Sequence, residues 1–301
     1  MRVAVLLGGI SLEREGSFES GKNCANALRD AGYDVTEIDV NFDVIDQLRG
    51  ADPDVVFNGA YGRGVEDGAI QGLLEWMRLP YTHSGVTASA IGMDKARSRA
   101  VFQAKGIPVA EGRIVNGAEL AKGHAMDPPY VLKPNSEGSS IGIHYVVDAD
   151  TPPPAPSDDM HEWFLVERYV PGLDLTVVVA RDRSLAVTAI ESASGVWDRR
   201  SKQHDYKIKR VTPALVPESI TAACLELAER AHRALGCRNI SRTDFRWDVT
   251  KGSDGLIVLE TNTQPMVAQG ERGIVSQQLD LRGHTVAEFC TWLVEDASLN
   301  R

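Results

Sequence analysis

The chain opens with an apolar run, Val3 to Leu7, that Gly8-Gly9 interrupts, and this predicts a first strand. A polar, alanine-rich stretch to about Ala31 predicts a helix. Gly32-Tyr33 then leads into a second strand, Val35 to Val40, and Val55-Val56-Phe57 forms a third candidate. Strand–helix alternation at this spacing predicts a parallel sheet with helices packed on it. Ligands of such sheets bind beyond the carboxyl ends of the strands, here near Gly8-Gly9 and Asn58-Gly59.

Beyond about residue 93 the pattern changes. A helix from Asp94 to Ala104 is closed by Gly106 and Pro108. Tyr130 to Lys133, Ile141 to Val147, Trp163 to Tyr169 and Leu175 to Ala180 then read as strands. The proline-rich stretch Thr151 to Asp159 reads as a stiff surface loop. Strand-like sequence resumes on its far side, so it is an insertion within one domain. The last third holds a long helix, Pro217 to Leu235, with Pro near its first turn and Gly236 just past its end. Two strands follow, Thr243 to Val249 and Leu256 to Thr261, joined by a turn at Lys251 to Gly255, and an amphipathic helix runs from about Thr285 to Val294. There is no internal repeat. The expected division is residues 1–93, 94–180 and 181–301.

Composition narrows the function classes. Of 301 residues, 43% are hydrophobic and 25% charged, the balance of a soluble globular protein with ample core. Lys and Arg number 32 and Asp and Glu 42, a net charge of −10. That field disfavours nucleic acid and anionic membranes as partners, though a local basic pocket for a nucleotide is compatible with it. Cys24, Cys224, Cys237 and Cys290 form no C-x-x-C pair, which reads as reduced thiols in a cytoplasmic protein. No apolar stretch approaches the ~20 residues that span a bilayer, and the N-terminal apolar run is far too short for a signal peptide.

Four segments carry candidate chemistry. Lys133 to Gly142 is a Gly/Ser-rich loop preceded by a strand-end lysine. Small residues there let backbone N–H groups close on phosphate oxygens, although an ordinary hairpin turn has the same composition. Arg242 and Asp244 share one strand face, and Glu260 and Asn262 share another. If the faces coincide, three oxygen ligands suited to Mg²⁺ meet a guanidinium; a solvated face with cross-strand ion pairs is the alternative. Glu167 to Val170 ends an apolar strand, where a carboxylate and free backbone groups can read an adenine rim. Gly9 to Glu15 follows the first strand at the ligand edge, or else is simply a charged helix start.

In order and spacing these segments resemble the D-alanine–D-alanine ligases of the ATP-grasp superfamily, essentially end to end. The matching segments are Leu7-Gly8-Gly9 through Glu13-Arg14-Glu15, Glu66 to Gly72, Tyr81 to Val86, Met93-Asp94-Lys95, the Lys133 loop, the Arg242/Asp244 strand and Glu260 to Pro265. The resemblance implies an α/β ATP-grasp fold. Its parts are an N-terminal parallel α/β (preATP-grasp) domain, a central α+β lid domain and a C-terminal α+β domain, with ATP between the last two. It further implies two Mg²⁺ ions, with Mn²⁺ as an alternative, small amino-acid substrates, and a homodimer.

Residue by residue, the resemblance puts Lys95, Lys133 and Lys202 on the nucleotide, with the Ser139 loop closing over its phosphates. Glu167 would accept from the adenine amino group, with Tyr169 and Val170 on the rim. Asp174, standing where the family usually has Glu, would meet the ribose hydroxyls. Asp244, Glu260 and Asn262 match the metal site. Arg242 would stabilise the acyl phosphate and the tetrahedral intermediate, and Glu13, supported by Ser139, would grip the ammonium of the first D-alanine. The segment 192–210, polar, charged and read as strand-free, fits a mobile lid.

Departures from the family pattern gather on the acceptor side. Ser201-Lys202-Gln203 replaces Ala-Lys-Tyr, with His204 and Tyr206 nearby as substitutes, and Tyr61 replaces a histidine. Met266-Val267-Ala268 replaces Gly-Met-Thr. Glu271-Arg272 replaces the Ser-Leu pair that receives the second D-alanine's carboxylate. A glutamate there would repel that carboxylate, whereas Arg272 would clamp it. The expected function is ATP-dependent ligation of D-alanine, through an acyl phosphate, to a second D-amino acid, D-Ala–D-Ala ligase-like and serving peptidoglycan precursors, with an altered acceptor preference standing level with plain D-Ala–D-Ala ligation. A paralogue with another amino-acid or amine acceptor, including the D-lactate type, is one alternative, and a non-catalytic nucleotide-binding regulator is a second.

Overall fold

The computed structural model describes residues 1–152, 162–192, 208–268 and 273–300. It begins with β1 (Arg2–Gly8), α1 (Arg14–Asp30), β2 (Asp34–Val40), α2 (Val44–Ala51) and β3 (Val55–Asn58), followed by α3 (Ala69–Met77) and α4 (Val86–Met93). The three strands pair in parallel in the order β2-β1-β3. Because β1 is central, both its faces are buried: Val3 and Val5 enter one core while Ala4 and Leu6 enter another. An unbroken apolar run is what such a strand requires. Gly8 ends it in the left-handed region at φ +75°, where a Cβ would lie 2.2 Å from Asp39 Oδ1. Arg14 closes this corner, donating to both Asp39 oxygens at 2.8 and 2.6 Å and to the Gly9 carbonyl at 2.8 Å.

The chain continues through α5 (Lys95–Ala104), β4 (Gly112–Asn116), the short α6 (Gly117–Leu120), β5 (Tyr130–Pro134), β6 (His144–Val146) and β7 (Trp163–Arg168). These strands form an antiparallel sheet in the order β4-β7-β5-β6. β6 and β7 flank the proline-rich stretch yet share this sheet, so the stretch is an insertion within one unit; its residues 153–161 lie outside the described residues.

The remaining elements are β8 (Leu173–Ala180), β9 (Arg183–Ser192), β10 (Ile208–Val211), α7 (Glu218–Leu235), β11 (Ile240–Trp247), β12 (Leu256–Asn262), α8 (Ile274–Asp280) and α9 (Val286–Glu295). The strands make a second antiparallel sheet, ordered β10-β9-β8-β11-β12. Two expectations change here. β8, expected to close the central unit, hydrogen-bonds with β9 and β11, so the boundary between the two sheets falls before Leu173 rather than at residue 180. Residues 208–210, expected to be strand-free, belong to β10 and pair with β9, with Arg210 opposite Ile190. The rest of the expected lid, residues 193–207, lies outside the described residues.

One face of the five-stranded sheet packs on α7 through Leu175, Val177, Val179 and Phe245, and this core also takes in Phe102 from α5 and Ile107. The opposite face does two things along its length. At one end Val178, Ala180 and Ile240 join Val3, Val5 and Phe57 of the parallel sheet and Phe289 and Leu293 of α9 in a shared core. At the other end strand alternation puts Thr176, Asp174, Arg242, Asp244 and Arg246 on that same face. Burial at one end thus fixes the polar row at the other. Among the described residues no helix is long and apolar enough to cross a membrane, and all four cysteines are buried and unbridged.

Candidate active site

The polar row is built by register. Arg242 lies opposite Asn262 and Asp244 opposite Glu260 on β11 and β12, so the two faces do coincide. Arg242 Nε and Nη2 donate to the two Asp244 oxygens at 2.8 and 2.7 Å. Thr176 Oγ1 donates to Oδ1 at 2.6 Å, and Asn262 Nδ2 to Oδ2 at 3.3 Å. Burial alone would lower the Arg242 pKa, but Asp244, Glu260 and Glu66 outweigh it and raise it, so the guanidinium is a fixed charge. Among the described residues no three His, Cys, Asp or Glu side chains converge as a metal site. The donor types here, two carboxylates and an amide oxygen, suit Mg²⁺ completed by phosphate and water oxygens, although Arg242, Thr176 and Asn262 occupy the acceptor sites of Asp244 and would have to release one for a metal.

The expected nucleotide residues line two contiguous cavities that share Lys133, Tyr145, Asp174 and Leu259. Lys133 forms an ion pair with Glu167, whose other oxygen accepts from Arg99 at 3.3 Å. All three side chains are buried. A carboxylate has about four lone-pair sites, so Glu167 keeps capacity for an amino group while holding both cations. Arg246 ties together the rest of the rim. It reaches Asp174 at 2.7 Å, the Val170 carbonyl at 2.9 Å and the Tyr169 hydroxyl at 3.1 Å. Lys95 donates to the Glu137 carbonyl and stands 3.7 Å from Glu260, which links this side to the next cavity.

That next cavity, of about 420 Å³, is lined by Glu13, Tyr61, Glu66, Ser139, Arg210, Arg242, Glu260, Asn262 and Gln264 among others. Ser139, at φ +47°, donates to Glu13 Oε1, so the glycine loop reaches the segment after β1. Gly138 permits the approach, since a Cβ there would lie 2.7 Å from Glu13 Oε2. Tyr61 contacts Met266 Sδ at 3.6 Å, and its pKa is raised by burial and by Glu13 and Glu66. Gly16 makes room for it, because a Cβ there would meet the Tyr61 hydroxyl at 1.9 Å. Glu66, 9% exposed, is held well above the usual carboxylate range by burial first and by Glu13 next. Gln264 accepts from Asn58 Nδ2 at 2.9 Å, while its own Nε2 is buried without a hydrogen-bond partner.

The structure therefore brings together Glu13 with Ser139, Lys133 with Glu167, Tyr169 and Val170 with Asp174, and Arg242 with Asp244 and Asn262. Lys202, Gln203, His204, Glu271 and Arg272 lie outside the described residues. Sequence reasoning missed Arg99, Thr176, Arg246 and Arg210, and quoted Glu66 and Gln264 without a role. Only Arg246 left a signal: it continues the every-second-residue run Arg242, Asp244 on β11.

Comparison with known proteins gives consistent results. The family model described as "D-ala D-ala ligase C-terminus" matches residues 101–270. A protein from Cereibacter sphaeroides named D-alanine–D-alanine ligase is 53% identical over 301 residues, covering 100% of this chain and 97% of that protein. One of the same name from Roseobacter denitrificans is 51% identical over 300 residues, covering 100% and 93%. Among solved structures, a Bacillus anthracis D-alanine–D-alanine ligase complexed with ATP superposes with TM-score 0.78 at 22% identity, covering 98% of this chain and 96% of that one.

Proposed function

The chain belongs to the D-alanine–D-alanine ligase family and is an ATP-dependent ligase, and we propose that it activates one D-alanine at its carboxylate and joins it to a second, supplying peptidoglycan precursors. The observation that carries the reading is the position of Glu260, which lines both the cavity of the nucleotide lysines and the cavity of Glu13 and Arg242. A carboxylate and a terminal phosphate can meet there.

Glu13, oriented by Ser139, holds the ammonium of the first D-alanine and leaves its carboxylate facing Arg242. Phosphoryl transfer needs positioning and positive charge rather than a protein nucleophile. Lys95 and Lys133 hold the phosphates, Glu167, Tyr169 and Val170 the adenine, and Asp174 the ribose. Asp244, Glu260 and Asn262 would hold two Mg²⁺ ions, or Mn²⁺, which supply Lewis-acid charge at the transferring phosphate. A carboxylate oxygen bonds to the terminal phosphorus as the bond to the ADP oxygen breaks. The deprotonated amine of the second D-alanine then bonds to the acyl carbon, and the carbon–oxygen bond to phosphate breaks. Arg242 stabilises the negative charge in both steps.

We assign three subdomains, with the nucleotide between the central and C-terminal ones; β5 and β7 on one side and β8 and β11 on the other supply its cavity walls. Action in the cytoplasm is supported by the four unbridged cysteines, and a homodimer by the family resemblance. The test is phosphate release from Mg-ATP with D-alanine as sole amino acid, with products identified by mass. Equimolar phosphate and D-Ala–D-Ala are expected. Dipeptide only after a different amino acid or amine is added would overturn the D-alanine acceptor.

A further inference from the structure

The walls of the 420 Å³ cavity come from separate elements: Arg242 from β11, Arg210 from the edge strand β10 and Ile274 from the first turn of α8. Two adjacent glutamines of α8, Gln277 and Gln278, tie these elements together. Gln278 is fully buried, is not among the residues lining the cavity, and turns its amide on the backbone of β8. Its Oε1 accepts from the Val178 N–H at 2.8 Å, and its Nε2 donates to the Thr176 carbonyl at 3.2 Å. The β8–β9 register slips by one residue between Val177 and Val179, and the glutamine supplies partners where that ladder is interrupted. The same Nε2 also donates to Thr188 Oγ1 on β9 at 2.8 Å, so both amide hydrogens are used. The Thr188 and Thr212 hydroxyls meet at 2.8 Å, and Thr212 donates to Gln277 Oε1 at 2.9 Å. Since Thr212 gives its proton to Gln277, Thr188 donates to Thr212, and each hydroxyl gives one bond and takes one. On the other side Thr176, whose carbonyl Gln278 holds, donates through Oγ1 to Asp244 at 2.6 Å, and Asp244 accepts both Arg242 bonds.

We propose that Gln278 is a positioning residue for the ligation, fixing the spacing between the Arg242 wall and the Ile274 wall of the amino-acid cavity. The inference rests on the ligase reading and adds to it a residue that reaches no substrate. The acyl phosphate yields dipeptide only if the acceptor amine meets it before water does, and a wall displaced by about 1 Å misplaces that amine. Water then bonds to the acyl carbon and gives its proton to solvent, the carbon–oxygen bond to phosphate breaks, and D-alanine and phosphate leave without dipeptide. A fastening that served stability alone would lower the amount of active enzyme and leave each turnover complete.

The test uses the full chain with Mg-ATP and D-alanine and counts phosphate released per dipeptide formed. Gln278→Met keeps the length of the side chain and removes its amide. Below its melting temperature this variant should release about two or more phosphates per dipeptide where wild type releases one, and its dipeptide kcat should fall about tenfold. Its Mg-ATP Kd should stay within about twofold of wild type, which also certifies the fold. Thr188 supplies the second arm. Thr188→Val keeps the shape but breaks the hydroxyl chain, and should raise the phosphate-to-dipeptide ratio in the same direction, whereas Thr188→Ser keeps the hydroxyl and should hold it at one. A ratio of one in folded Gln278→Met overturns the assignment however far kcat falls, and if that variant does not fold, a ratio of one in Thr188→Val does the same. Failure of the wild-type chain to make dipeptide contradicts the ligase reading instead, so the two failures are distinct.

Discussion

Around Glu167 the acids are matched by cations within bonding distance, Lys133 and Arg99 on Glu167 and Arg246 on Asp174, whereas among the described residues five glutamates and two arginines line the amino-acid cavity. The nucleotide side is pre-assembled: its charges sit in buried pairs that hold the rim in place before anything binds. Among the described residues the amino-acid side has more carboxylates than cations, and burial first, then Glu13, raises the Glu66 pKa well above the ordinary carboxylate range. The difference teaches what each half selects. On the proposed reading, walls whose charges are already paired give the nucleotide a fixed seat, and an acidic chamber draws in ammonium groups while leaving carboxylates to a few placed arginines.

The comparison breaks most severely where a matched pair is split. Glu167→Ala strands Lys133 and Arg99 in the interior and should cost about 3–5 kcal/mol in urea unfolding. Next comes Arg242→Ala, which should lower kcat by about 10²–10³ while Mg-ATP affinity stays close to wild type, in steady-state kinetics beside calorimetry. Gly16→Ala sharpens the packing side of the contrast. Its Cβ would press on the Tyr61 hydroxyl, so the D-alanine KM should rise about tenfold, with stability lowered by about 1 kcal/mol. Adding Tyr61→Phe should restore most of that stability if the contact is the cause.

The smallest effect is a pH slope. A carboxyl whose folded pKa is raised binds its proton in the folded state after the unfolded chain has released it near about 4.3. Glu66 therefore makes stability fall as pH rises from there toward its folded value. Thermal melts of the ligand-free protein should show Glu66→Gln gaining stability over wild type as pH rises; a gap that narrows with rising pH contradicts this.

Legibility in the sequence followed the same division. Arg242, Asp244, Glu260 and Asn262 could be read because a period of two on neighbouring strands is a local pattern, and the register then paired them as expected. Val3 to Leu7 could be read because β1 is buried on both faces. Arg99 could not, since it meets Glu167 from 68 residues away on a helix whose sequence says nothing of that partner. β10 could not either: Ile208-Lys209-Arg210-Val211 is a four-residue edge strand with no apolar run to announce it. α4, Val86–Met93, was missed because Ala, Ser and Gly give it no distinct polar face. Gln264 lay inside a matched block, but its buried N–H exists only once Asn58 and the cavity are in place.

The central claim is that the two cavities cooperate to move a phosphate onto D-alanine's own carboxylate. Running the reaction with D-alanine labelled with ¹⁸O in both carboxylate oxygens tests it directly, with the released phosphate and the dipeptide analysed by mass. Transfer of one labelled oxygen from the donor carboxylate into each phosphate, formed together with dipeptide, is the expected result. Unlabelled phosphate, the product of water attacking ATP, would contradict it.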